Sequence, residues 1–240
     1  MNCKKCSSEI TGNYCSNCGN PIQLKRIDGH YLMHEIEHIL HFERGFLFTL
    51  KELIIRPSEV IKEFITTSRN RLVKPIIFII ITSLIYTLIN QYLHVEVGFI
   101  HLRGDDSSAI NFIFKWVENH YGYANIFFGL FIAAFVKQLF RKYEYNFFEI
   151  LILLCYIIGV QMLVFSLFTV IAKVFRIEIM AFVGGLSLLY LTWVIAAFFD
   201  NKKVLNYVKA LFAYVFGMIT STSFLVLVGV IIDEIGRLKT

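Results

Sequence analysis

The sequence predicts a mainly α-helical, polytopic membrane bundle of about five spans, preceded by a small cysteine-rich head and amphipathic juxtamembrane helices. Three observations carry that reading. Apolar runs near the roughly 20 residues needed to cross a bilayer recur after Pro75. Two CxxC pairs open the chain. Between these regions, apolar residues recur at helical spacing. Composition agrees, with 57% hydrophobic and 17% charged residues. Soluble domains run at about 45–50% and about 25%.

The head covers 1–24. Cys3, Cys6, Cys15 and Cys18 form two knuckles, each with a two-residue gap that one tight turn can present. Four thiolates suit a structural Zn2+ site, so the head reads as a zinc ribbon. Gly12 and Asn13 are placed to turn a tiny hairpin, and Gly19 to relieve the bend after Cys18. So short a chain builds little hydrophobic core, and the metal would supply the folding free energy. Disulfides and a redox pair are the competing readings. A cytoplasmic head disfavours the disulfides. A fifth cysteine, Cys155, sits alone in an apolar run and reads as a small core hydrophobe.

The juxtamembrane region covers 25–74. Over Tyr31–Arg44, Leu32, Met33, Ile36, Ile39 and Leu40 fall on one helical face, opposite His30, His34, His38 and His41. His34, Glu35 and His38 match HExxH, in which two histidines one turn apart bind zinc and the glutamate activates water. A catalytic site needs a third ligand and an open position, and no signature spacing supplies them. A solvated polar face, or a non-catalytic metal or pH-sensing face, competes with the protease reading. Gly45 interrupts the pattern. Phe46–Ile55 continues it, and Arg56 and Pro57 mark a break followed by a helix start. Val60, Ile61, Phe64 and Ile65 stripe the next helix. Neither stripe is long enough to span, so both should lie on the membrane surface or dock on the bundle.

The order CxxC, YCxxCG, HExxH, GFLFTLKELIIRP and EFITTSRNRLVKP before an apolar run resembles the bacterial membrane-protein family catalogued as domain of unknown function 3667. The likeness runs from Cys3 to Pro75 and weakens into the spans. Thr67 and Ser68 stand where that family usually carries Gly-Lys. The resemblance implies the architecture and transfers no activity.

The bundle covers 75–240, with expected spans at 75–93, 124–140, 147–172, 179–199 and 207–232. The second is the weakest, because Lys137 must snorkel from its end. Residues 51–74 hold six Lys and Arg, and later loops alternate between more and fewer. Positive charge stays inside, which puts the N-terminus in the cytoplasm of a bacterial inner membrane and the C-terminus outside. Ala109–Tyr121 reads as a short interfacial helix and Arg103–Asp106 as a loop tip. Gly129 with Ala133 and Gly217 with Ser221 read as close helix contacts.

Net charge is +5 without a long basic block, so a lipid bilayer rather than nucleic acid is the expected partner. No paired buried carboxylates, nucleotide loop or nucleophile triad is present. The favoured expectation is a non-enzymatic scaffold or regulator whose ribbon binds a cytoplasmic protein, with a homo-oligomer allowed. The alternatives are an oligomeric channel or transporter and a membrane-bound HExxH metalloprotease acting through Glu35.

Overall fold

The computed structural model describes residues 3–9, 12–21, 29, 45–93 and 109–237. The helix expected over Tyr31–Arg44, with His34, Glu35, His38 and His41, lies outside the described residues, as do His30 just before it and the tip Arg103–Asp106. Eight α-helices and no named strand occur among the described residues. In chain order they are α1 (Phe46–Ile55), α2 (Pro57–Thr66), α3 (Pro75–Leu93), α4 (Ala109–Asn119), α5 (Tyr121–Leu139), α6 (Phe147–Phe175), α7 (Met180–Asp200) and α8 (Val204–Arg237).

Local chemistry sets most of these boundaries. Gly45 starts α1 from a left-handed conformation, with φ 76°. Pro57 takes the first position of α2, where its missing N–H costs nothing. The N–H groups of Thr67 and Ser68 both close back onto the carbonyl of Glu63 and end α2. A short 3-10 turn at Arg141–Tyr143 separates α5 from α6. A reciprocal cap then starts α6: the Glu149 N–H donates to Asn146 Oδ1, and the Asn146 N–H donates to Glu149 Oε2.

Four helices, α3, α6, α7 and α8, are long and apolar enough to cross a membrane. Glu149 to Lys173 on α6, and Lys209 to Asp233 on α8, each enclose about 36 Å of uncharged helix. That exceeds the roughly 30 Å hydrocarbon core of a bilayer. The weakest expected span behaves differently. Tyr123–Leu139 is apolar but shorter than the other four. At its end, Lys137 Nζ donates to the carbonyl of Tyr145, beyond the helix, at 2.5 Å. Even so, α5 runs back through the bundle. Gly159 meets Phe78, and Met162 meets Thr82, so α3 and α6 run parallel. The chain between them must return, and α5 is the return: Leu139 pairs with Lys209 and Ile132 with Gly217 along antiparallel α8. The head and Arg237 therefore sit at opposite ends of the bundle. A helix forms where one was expected from Ala109, as α4, and Asp233 Oδ1 accepts from the Ala109 N–H at its start, at 2.7 Å.

The expected small-residue contacts include real close approaches. An added Cβ on Gly217 would lie 2.8 Å from the Ile132 backbone, and one on Gly129 would lie 3.0 Å from Ile158. Gly229 meets Ile110 in the same way, at 3.0 Å from its Cα.

Both juxtamembrane helices dock on the bundle. Leu53, Val60, Ile61, Phe64 and Ile65 are buried in the same core as Phe78 and Tyr156. Thr49, fully buried in α1, accepts from the Val73 N–H at 2.9 Å. The Tyr156 hydroxyl donates to the Val73 carbonyl at 2.8 Å, and Tyr190 donates to the Leu53 carbonyl at 2.9 Å. Two tyrosines from α6 and α7 thus satisfy carbonyls that α1 and the junction leave open.

Candidate metal centre and its seat

The two knuckles are near copies of each other. In the first, the Cys3 N–H donates to Ser8 O and the Ser7 N–H to Cys3 O, both at 2.8 Å. In the second, the Cys15 N–H donates to Asn20 O and the Gly19 N–H to Cys15 O, again at 2.8 Å. Each turn needs a left-handed residue after its second cysteine. Gly19 supplies it at φ 67°, as expected, while the first knuckle uses Ser7 at φ 59°. The hairpin expected at Gly12 and Asn13 is only partly visible. Both lie in a bend, and a single antiparallel bridge pairs Tyr14 with Pro21.

These turns bring Cys3, Cys6, Cys15 and Cys18 together, with all four sulfurs within 4.8 Å of one another. Cys3 Sγ and Cys18 Sγ are 3.6 Å apart, and Cys6 Sγ and Cys15 Sγ 3.5 Å. All four are free thiols. With metal–sulfur bonds of about 2.3 Å, the corners of a tetrahedron lie about 3.8 Å apart. The cluster is therefore already close to the size a metal ion requires, and the four cysteines could hold one. Four thiolate ligands fill a tetrahedral shell and leave no position for substrate.

The sulfurs do not titrate alike. The hydroxyl and then the backbone of Ser8 draw the Cys6 thiol down to about 6. The backbone at Lys5 and at Cys6 also lowers Cys3. At Cys18 the Asn20 backbone acts downward, but burial and the neighbouring thiols outweigh it and push the group up to about 12. So close a set resists full ionisation unless a cation shares the charge.

The head is seated on the juxtamembrane hairpin. Asn20, 6% exposed, donates from Nδ2 to the Thr67 carbonyl at 2.9 Å. Beside that seam, Arg56 and Arg71 both reach Glu52 and Glu63. Arg56 lies 2.6 Å from Glu52 and 3.5 Å from Glu63, and Arg71 lies 3.2 and 3.0 Å from them. The network ties both ends of α2 to α1.

Polar and thiol side chains within the spans have structural placements. Cys155 is buried in the core of α6, as expected. Gln161 donates its amide to the Ser187 carbonyl at 2.8 Å, and Ser221 bonds the Met218 carbonyl of its own helix. Sequence reasoning missed Asn20, the left-handed Ser7 and the two anchoring tyrosines. Aligning Cys3–Ser8 on Cys15–Asn20 would have put Ser7 opposite Gly19.

The class is thus a polytopic helical membrane protein whose cysteine cluster can accept a metal ion and is seated on a docked helical hairpin. Residues 43–87 match the family described as protein of unknown function (DUF3667), which covers the hairpin and most of the first span. Comparison with curated proteins and with solved structures returns no match.

Proposed function

We propose that the protein is a non-enzymatic membrane scaffold or regulator, with a structural Zn2+ in the 1–24 head and a cytoplasmic protein partner bound there. The observation that carries this reading is the closed four-thiol cluster fastened to the bundle. A filled tetrahedral site does no chemistry, and its use is to hold a small surface in shape. The fastening runs from Asn20 to Thr67, then along the junction to Val73 and the Tyr156 hydroxyl within α6. Partner binding at the head would therefore bear on the spans. The Lys and Arg concentrated before Pro75 support a cytoplasmic head and an external C-terminus in a bacterial inner membrane. In that compartment thiols stay reduced and available to zinc.

The test is metal content and capture with the purified full-length chain. One zinc per chain is expected, lost together with the captured protein in Cys15→Ser/Cys18→Ser. Identical captured proteins with and without those cysteines would remove the scaffold reading. Two zinc ions per chain, with a cellular phenotype from Glu35→Gln at full zinc content, would replace it with the HExxH metalloprotease.

A further inference from the structure

A cleft of about 290 Å3 lies in the seam between the head and the end of α2. The first knuckle supplies Lys4 and Lys5, while Glu63, Ser68 and Arg71 come from α2 and the junction that follows it. Among the described residues, the ammonium groups of Lys4 and Lys5 have no carboxylate partner. Both oxygens of Glu63 are engaged, Oε1 by Arg56 and Oε2 by Arg71. Arg71 spends one N–H on Glu63 and one on Glu52, which leaves three of its five donors. The lining thus carries three cations and one carboxylate, and because Arg71 is shared between Glu63 and Glu52, Lys4 and Lys5 are the charges that no carboxylate meets among the described residues.

The second observation is independent of charge. Ser68 is 8% exposed, and its Oγ is buried without a hydrogen-bond partner. Buried hydroxyls are ordinarily satisfied, and one left open on the wall of a polar cleft marks a place for a ligand atom. The volume sits at the lower end of the range for ligand pockets, about ten times the roughly 30 Å3 of a water molecule. That is room for a phosphate group and the ester that carries it.

We propose that this seam binds a phosphate group, with Lys4, Lys5 and Arg71 as its cationic contacts and Ser68 as a neutral donor. The group comes either from an anionic lipid headgroup or from a free phosphate compound. The headgroup is the nearer source, because Arg71 stands only four residues before Pro75, where α3 enters the membrane. Bound there, the anion bridges the head to the junction across a seam otherwise held by the Asn20 hydrogen bond. The site stands apart from the scaffold reading and uses neither a protein partner nor the metal's identity.

The test uses the full-length chain in neutral detergent, titrated separately with short-chain phosphatidylglycerol, short-chain phosphatidylcholine and inorganic phosphate. The readout is the thermal midpoint, which a ligand of the folded state raises with the logarithm of one plus its concentration over Kd, so that the dependence on concentration yields Kd. Phosphatidylglycerol should raise it at concentrations where phosphatidylcholine does not. Lys4→Gln/Lys5→Gln should raise that Kd about a hundredfold, since two charge-assisted contacts worth about tenfold each are lost. Ser68→Ala should raise it less. Lys142→Gln/Lys202→Gln removes equal charge from the same end of the bundle and should leave it unchanged. Metal content of each variant shows that the head still folds. A rise with inorganic phosphate alone assigns the site to a free phosphate compound. No rise with any phosphate probe, or equal weakening in Lys142→Gln/Lys202→Gln, overturns the site.

Discussion

Gly217 on α8 gives a quantitative test of how the bundle is built. A Cβ added there would lie 2.7 Å from Ile132 Cγ1, 2.8 Å from its Cα and 2.9 Å from its N. Carbon atoms settle at about 3.5–4.0 Å, so the new methyl overlaps by roughly 0.7–1 Å. Two of those atoms are backbone, and no rotamer change relieves them. The α5–α8 pair must move apart, at an overpacking cost of about 1–3 kcal/mol. Alanine returns up to about 1 kcal/mol through its helix propensity. A net loss of about 1–2 kcal/mol is expected for Gly217→Ala. Gly185 on α7 is the matched control, because nothing lies within 4 Å of its added Cβ. Gly185→Ala keeps the propensity gain without the clash. Unfolding of both variants in mixed micelles, with SDS as denaturant, measures the difference directly. If Gly217→Ala proves as stable as Gly185→Ala, α5 does not pack on α8 at Ile132, and the return path assigned to α5 loses its support.

Ser7→Gly should tighten metal binding about fivefold, by relieving roughly 1 kcal/mol of left-handed strain at φ 59°. Competition against a chromophoric chelator reads it, and unchanged affinity would show that the first knuckle is not strained. Tyr156→Phe leaves the Val73 carbonyl without its donor and should cost about 1–2 kcal/mol, as should Tyr190→Phe at Leu53. If both variants melt like the parent, packing alone docks the hairpin. Acid should release the metal. The Cys18 thiol, pushed up to about 12, holds its proton at neutral pH and must lose it to bind, so apparent affinity falls at least about tenfold per pH unit as pH drops. Affinity flat between pH 8 and pH 6 would mean that no thiol proton is displaced.

The helical class and most boundaries were legible because their causes are local. Pro75 opens the first span, and its observed range, Pro75–Leu93, is the expected one. The two CxxC pairs announced their cluster, since two-residue gaps constrain where sulfurs can go. The asparagine and glutamate three apart at Asn146 and Glu149 are also readable as a cap. The tyrosine anchors were not legible. A hydroxyl inside an aromatic-rich run looks like any other ring until its partner is known, and those carbonyls lie 83 and 137 residues away. Whether α1 and α2 lay on the lipid or docked was likewise undecided by periodicity. An apolar stripe fits either surface, and the difference rests on Thr49, a polar residue inside that stripe whose partner is the Val73 N–H.

The long reach of those two hydrogen bonds places a delay in biosynthesis. Val73 leaves the ribosome 83 residues before the tyrosine that holds it, and Leu53 leaves 137 residues before its own. At about 5–20 residues per second, the hairpin waits roughly 4–17 seconds for Tyr156 and 7–27 seconds for Tyr190. Through that interval Leu53, Val60, Ile61 and Phe64 have no core to enter, and the nearest apolar phase is the bilayer that has just received α3. A nascent chain arrested before Tyr156 therefore keeps a greasy, unanchored hairpin beside its first span.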